Sequence, residues 1–272
     1  MTSPSTLRAA LSPRSVAVIG ASENPNKIGG RPIHYLGRFG FGGAIYPINP
    51  NRAEIQGHKS YPDLASLPEA PDLVIVAVPG QAAVMAVTAC AERGVKVAIV
   101  MASGFGETGP AGRAEEHAMV ASARAAGMRL VGPNTQGLAN FGTGAIASFS
   151  TMFLESPPQD GPVAIVSQSG AMSVVPYGLL RARGIGVRHT HATGNDADVT
   201  AAELARAVLE DPAVGLLLLY LESIADAAAL AEVAETARRR GVPVVALKAG
   251  RTAAGQRAAS SHPGALANED RV

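Results

Sequence analysis

Three short stretches hold residue types able to handle phosphate. The segment RAASSHPGALA sets one imidazole, His262, among small and flexible residues near the carboxyl terminus. Imidazole is nucleophilic while neutral near pH 7, and a phosphorylated ring readily releases its phosphoryl group. In VAIVSQSGAMS, Ser167 ends an apolar strand pattern and Ser169 and Gly170 stand where a helix begins. Two hydroxyls, a glycine and a helix start converge there, which favours an anion; Ser169 reads equally as a plain N-cap. VIGASENPNKIGG supplies Gly20 for close backbone approach, the Ser22 hydroxyl and the Lys27 charge ahead of a second helix, the chemistry of another phosphate loop.

This last loop departs from the dinucleotide fingerprint G-x-G-x-x-G, because Ser22 and Pro25 occupy its second and third glycine positions. An NAD site also wants an acid at the end of the next strand to grip the ribose hydroxyls. Here that strand ends in Asn49 and Pro50, with Arg52 close behind. A base in place of the acid suits an adenine nucleotide bearing extra phosphate. An NAD-dependent dehydrogenase and an ordinary glycine turn are the alternatives. Further strand ends direct Val78 and Pro79, then Ser103, Gly104 and Phe105, toward the same crevice, since ligands of such sheets bind beyond the carboxyl ends of the strands.

Positioning these loops requires an α/β fold. Short β-branched runs (SVAVIG, GAIYPIN, LVIVAVP, VKVAIVMAS, MRLVGPN) alternate with alanine-rich helical stretches, the pattern of parallel strands covered on both faces. FGTGAIASFSTMFLESPPQDGP shows no period, and SPPQDG reads as a turn or linker. The rhythm then restarts with VAIVSQSG, VRHTHA, VGLLLLYLE and VPVVALKAG, four strands with helices between them.

Composition narrows the function. Lys and Arg number 23 against 22 Asp and Glu, a balance that gives no support to nucleic-acid or membrane-surface binding by bulk charge. A single cysteine, Cys90, excludes an internal disulfide and a thiolate zinc cluster. The amino terminus lacks the apolar core of a signal peptide, and no apolar run reaches the length of a membrane span, so a cytoplasmic location is expected. His189 and His191 lie two apart on one strand face without a complementary ligand set, which reads as ordinary polar residues and no metal site. His34, His58 and His117 read as surface or helix-face residues, and Cys90 as a packing residue. In GNDADV, Asn195 borders the phosphate region, or Asp198 simply caps a helix.

The motifs SVAVIGAS, KIGG, YPINP, GPN, VSQSGAM, GNDADV, LYLES and ALKAGRTAAGQRAASSHPGALA fall in an order that resembles the NDP-forming acyl-CoA synthetases and, more distantly, the succinyl-CoA synthetase alpha subunit. The resemblance covers nearly the whole chain. It implies a Rossmann-like CoA-binding domain over residues 1–145 and a flavodoxin-like, succinyl-CoA synthetase-type domain carrying the phosphohistidine loop over residues 146–272. Coenzyme A would contact Gly20, Ser22, Lys27, Asn49, Pro50, Arg52, Pro79, Ser103, Gly104 and Phe105. His262 would carry the phosphoryl group, Ser167, Ser169 and Gly170 would cradle it, Glu222 would hold the imidazole, and Asn134 would sit near the reacting centre.

The activity so implied is ADP-forming ligation of a small carboxylic acid to coenzyme A. ATP and Mg2+ would enter through an ATP-grasp domain or beta-type subunit, and the assembly would be an oligomer. A piece of a longer fused enzyme is the expectation; the alternative is a non-catalytic CoA-binding regulatory module, as in acetyltransferase fusions. Two departures from the family stand out. Pro263 replaces the usual threonine, removing a backbone N–H and fixing φ, and Thr135 and Gln136 replace a cysteine and an apolar residue.

Overall fold

The computed structural model describes residues 4–250, so His262 and its loop lie outside the described residues. The first half runs α1 (Pro4–Leu11), β1 (Ser15–Ile19), α2 (Arg31–Arg38), β2 (Ala44–Ile48), β3 (Glu54–Ile55), β4 (His58–Lys59), β5 (Leu73–Val76), α3 (Gly80–Glu92), β6 (Val97–Val100), α4 (Pro110–Ala125) and β7 (Arg129–Val131). There follow β8 (Gly137–Asn140), β9 (Ala145–Ser148), α5 (Met152–Glu155), β10 (Val163–Ser167), α6 (Gly170–Arg181), β11 (Val187–Ala192), α7 (Ala201–Val208), β12 (Leu216–Leu221), α8 (Ala227–Arg240) and β13 (Val244–Lys248).

Two larger sheets result. The first is parallel, in the order β2-β1-β5-β6-β7. Its strand order reverses direction at β1, so the ends of β1 and β5 flank a crevice. The second runs β13-β12-β10-β11-β8-β9. Its first four strands are parallel, and β8 and β9 are antiparallel additions at one edge. Here the reversal lies between β10 and β12. Strands such as β5, β6 and β10 are buried at every position, as unbroken Val/Ile runs should be when helices cover both faces. One apolar cluster runs through both sheets, joining Val18 and Ile99 to Val166 and Leu217 by way of α1 and α7.

The α/β class and the nine principal parallel-sheet strands read from the sequence are found, together with two hairpins that the pattern did not reveal. GLAN and AIAS become β8 and β9, and EI and HK become β3 and β4. Segments this short carry no measurable period, and only pairing to a neighbour makes them strands.

Asp198 is not a helix cap. Thr200 caps α7, in a reciprocal box with Glu203. Asp198 is buried instead, with its carboxylate accepting from Leu130 N (2.7 Å), Arg129 Nε (2.9 Å) and Arg124 Nε (2.5 Å). Val199 N donates to Leu130 O and Ala197 N to Gly132 O, so residues 197–199 run beside β7 as a further strand would. Arg129 also reaches Glu203 at 3.1 Å. This ionic knot ties the last strand of one sheet to the segment entering a helix of the other.

The two histidines of β11 are buried too. Ala139 N donates to His191 Nδ1 (3.3 Å), which leaves Nε2–H to donate to His189 Nδ1 (3.2 Å). His189 Nε2–H in turn donates to Asp211 (3.0 Å). The backbone N–H at one end and the carboxylate at the other set both tautomers with neutral rings. Burial, and then neighbouring His189, hold His191 well below the ordinary histidine range; the His189 and Arg188 contacts hold the Asp211 carboxyl low against its burial. Among the described residues no group of three or more ligating side chains is placed to hold a metal ion. Cys90 is buried in the core, where burial pushes its thiol up to about 12.

Replacing Asp198 by Asn should destabilise the chain by about 3 kcal/mol or more, because Arg129 loses its buried counter-charge. Urea unfolding measures this, and a loss below about 1 kcal/mol would show that the knot is dispensable.

Candidate functional site

The first candidate loop leaves β1 at Gly20, whose φ of +82° suits glycine. A Cβ there would lie 2.7 Å from Val78 Cγ1. At Gly29 and Gly30 a Cβ would come within 2.0 Å of Gly20 O and Asn24 O respectively. The loop therefore folds on itself with its backbone bare. Ser22 Oγ accepts from Asn24 N, and Asn24 Oδ1 from Asn26 N. No described residue accepts from the N–H groups of Ile28 and Gly29, which the loop thus offers beside exposed Lys27.

The neighbouring candidates divide into two kinds. Pro50, Arg52, Pro79, Ser103 and Gly104 are exposed at the carboxyl ends of the strands. Asn49 spends both ends of its amide internally, donating to Ala21 O and accepting from Asn51 N, each at 2.9 Å. The Phe105 side chain is buried in the core of the first sheet, which leaves only its backbone to the crevice.

The second candidate loop follows β10. Ser167 is sealed, its hydroxyl donating to Ser169 O (2.6 Å) and accepting from Ser169 N (3.0 Å). Ser169 caps α6, its Oγ facing Met172 N at 3.4 Å. The first N–H groups of α6, on Gly170 and Ala171, have no acceptor among the described residues, the usual state of a helix start open to an anion.

A cleft of about 340 Å³ opens at this point. Its walls bring Ser169, Gly170 and Ala171 together with Glu222 beyond β12 and with Asn134 beyond β7. Four residues singled out in the sequence, spread over some ninety positions, thus share one cavity drawn from both sheets. Met101 and Phe149 supply an apolar side. The Gln136 side chain lies against Gly170, where a Cβ would stand 2.8 Å from its Cγ. Its Oε1 is buried without a hydrogen-bond partner.

Two further amide side chains brace the cleft, of which the motif reading named Asn195 and missed Gln168. Gln168 Oε1 accepts from Glu222 N (2.5 Å) and Ser223 N (2.9 Å), while its Nε2 donates to Asp196 Oδ2 (2.6 Å). Asn195 Nδ2 donates to Glu107 and Glu116, and its Oδ1 accepts from Asn134 Nδ2 (3.3 Å). Alternation within SQSG was the available signal for Gln168: a side chain between two loop serines points the other way. Nothing local marks Glu107, whose carboxyl is held low by Asn195 and by backbone N–H groups, Gly104 among them, despite burial.

Burial pushes the Asp196 carboxyl up to about 6, although Gln168, Thr193 and Ala201 N favour its charge. Its Oδ1 is buried and unpartnered. A carboxyl with a folded pKa above its unfolded one costs stability as pH rises between the two. Thermal melts of wild type and Asp196→Asn should therefore diverge from pH 4 to pH 7, by about 1–3 kcal/mol in favour of the amide. Parallel curves would show that the carboxyl is not strained.

Comparison with known proteins fits this geometry. Residues 14–140 match the CoA binding domain and residues 160–272 the succinyl-CoA ligase like flavodoxin domain. The alpha subunit of ADP-forming acetate–CoA ligase I from Pyrococcus furiosus is 35% identical over 270 residues, 98% of this chain and 57% of that one. The alpha subunit of ligase II from the same organism is 37% identical over 261 residues, 96% and 55% of the two chains. The solved dinucleotide forming acetyl-coenzyme A synthetase 1 of Ca. Korarchaeum cryptofilum, in complex with phosphate and ADP, superposes with a TM-score of 0.87 at 34% identity. That match covers 99% of this chain and 56% of that one. The chain thus spans a little over half the length of these relatives. Along its length it is similar first to the CoA binding domain and then to the succinyl-CoA ligase like flavodoxin domain, and throughout to the alpha subunits of ADP-forming acetate–CoA ligases.

Proposed function

We propose that this chain is the CoA-binding and phosphohistidine-bearing part of an ADP-forming acid–CoA ligase, divided into units at residues 1–145 and 146–272. The observation that carries the reading is the shared cleft, in which an open helix start, a carboxylate and an amide from both halves meet. A carboxylic acid becomes a thioester only through an activated acyl group. With ATP held by an ATP-grasp domain or subunit, a carrier must bring phosphorus to the acid.

His262 is that carrier in this reading. One ring nitrogen attacks the γ-phosphorus, the new N–P bond forms and ADP leaves, with Mg2+ at the ATP-grasp site. Glu222 accepts from the other ring N–H and so keeps the attacking nitrogen unprotonated. The N–H groups of Gly170 and Ala171 and the α6 dipole then receive the phosphoryl oxygens. The acid's carboxylate oxygen attacks phosphorus, freeing the imidazole and giving an acyl phosphate. The thiol of coenzyme A attacks the acyl carbon, phosphate departs, and the thiol proton passes to solvent or to phosphate.

The residues around the first loop fit coenzyme A as the thiol substrate. Gly20, Gly29 and Gly30 leave no room for side chains against the backbone, and Ile28 and Gly29 offer N–H groups. Lys27 and Arg52 supply exposed positive charge for phosphate, where a ribose-gripping acid would stand in an NAD site. A cytoplasmic location accompanies a reaction that consumes ATP and coenzyme A; no helix among the described residues is long and apolar enough to cross a membrane.

Incubating the full chain with an ATP-grasp subunit, magnesium and γ-labelled ATP should place acid-labile, base-stable phosphate on the chain, and His262→Asn should abolish it. Calorimetry should show coenzyme A binding in both forms. Binding without any labelling would favour the regulatory module, and absence of both would remove the ligase reading.

A further inference from the structure

The hairpin of β3 and β4 has no part in the mechanism, yet its tip touches the first phosphate loop. Ile55 pairs with His58, so the turn consists of Gln56 and Gly57, with φ of +50° and +79°. Two consecutive left-handed residues define a type I′ turn, whose first position normally goes to Asn, Asp or Gly. A glutamine there is uncommon, and an unfavourable backbone geometry that is retained points to what the side chain does.

Gln56 makes three hydrogen bonds, all to the loop. Its Nε2 donates to Ser22 O and to Gly30 O, each at 2.9 Å, and its backbone N donates to Glu23 Oε2 at 2.9 Å. Two carbonyl acceptors on one amide nitrogen fix which end of the side chain faces the loop. Ile55, fully buried, anchors the hairpin behind it.

Ser22 and Gly30 are the two shoulders of the loop, already linked through Ser22 N and Gly29 O (3.3 Å). Gln56 therefore engages the carbonyl oxygens of both shoulders, that of Gly30 alongside the helical bond it accepts from His34 N (3.1 Å), and the carboxylate of Glu23. These are the groups that would repel a phosphate. With them engaged on the hairpin side, the unclaimed N–H groups of Ile28 and Gly29 remain to meet an anion.

We propose that Gln56 is the positioning residue of the CoA phosphate loop, holding its negatively polarised atoms away from the ligand before the ligand arrives. The proposal rests on the reading of this loop as the coenzyme A site. It adds a residue outside the glycine motif and from a separate hairpin.

The test uses the full chain, with coenzyme A and adenosine 3′,5′-bisphosphate as calorimetric probes. Gln56→Gly suits the positive φ and keeps the turn, so its melting temperature should stay close to wild type. Its affinity for both probes should fall about tenfold, the effect of losing two neutral hydrogen bonds that preorganise the site. Gln56→Glu replaces the donor with a carboxylate facing two carbonyl oxygens and Glu23. It should bind still more weakly at pH 7.5 and recover toward wild type by pH 5, as protonation restores one donor.

Wild-type affinity in the folded glycine variant would overturn the proposal. A glutamate variant whose ratio to wild type is flat with pH would overturn it too, since a merely structural role would not follow that titration. If the wild type binds coenzyme A and the variants match it, only this proposal fails. If the wild type binds neither probe, the coenzyme A reading fails with it.

Discussion

The buried carboxylate of Asp198 is the constraint on which the arrangement of the two sheets depends. A desolvated charge is tolerated only where donors surround it, and here a backbone N–H and two guanidinium groups do so. All of these donors come from α4 and β7, while the acid comes from the segment entering α7. Satisfying one charge therefore fixes the distance between two halves of the molecule. The strand-like pairing of residues 197–199 with β7 follows the same path. Asn134, four residues beyond Leu130, is thereby brought to Asn195, three residues before Asp198.

From that tether the cleft acquires its shape. Side-chain amides carry most of the bracing, because an amide presents a donor and an acceptor from one rigid plane. Gln168 joins the phosphate-loop candidate to the backbone of Glu222, and Asn195 joins the two carboxylates near the first sheet to Asn134. Groups held at both ends hold position without large packing area. Among the described residues four buried side-chain atoms have no partner, Arg31 Nε, Arg93 Nε and, at the cleft, the pair Gln136 Oε1 and Asp196 Oδ1. Unmet polar atoms cost stability, and one of the two residues lies in the cleft itself while the other is bonded to Gln168, a residue of its wall. Local rules yield at sites with work to do.

The parallel strands were legible because double burial writes itself as unbroken β-branched runs, and the loops because only glycine allows two backbones to meet as closely as at Gly29 and Gly30. Ser169 and Gly170 stood out by residue type and by their place after a strand, whereas Asn134 and Glu222 were marked by the family resemblance alone. Asn49 and Ser167 also stood out by type and place, yet their polar atoms are engaged within their own loops. Type and position along the chain do not say which way a side chain's hydrogen bonds are spent. Phe105 illustrates the same limit, since an aromatic residue in a glycine-rich loop points into the core as readily as into a crevice.

By itself the sequence determined the α/β class, the restart of the βα rhythm, the glycine loops and the candidates at strand ends, because these depend on neighbours close along the chain. The tertiary structure decided the rest: the hairpins at 54–59 and 137–148, the burial of Asp198 and His189, the grip of Gln56 on Ser22 and Gly30, and the meeting of Asn134 with Glu222. Each of these joins residues tens of positions apart, or strands too short to show a period. Hydrogen bonds and ion pairs between such groups exist only after apolar burial has brought the sheets together, so no local pattern records them.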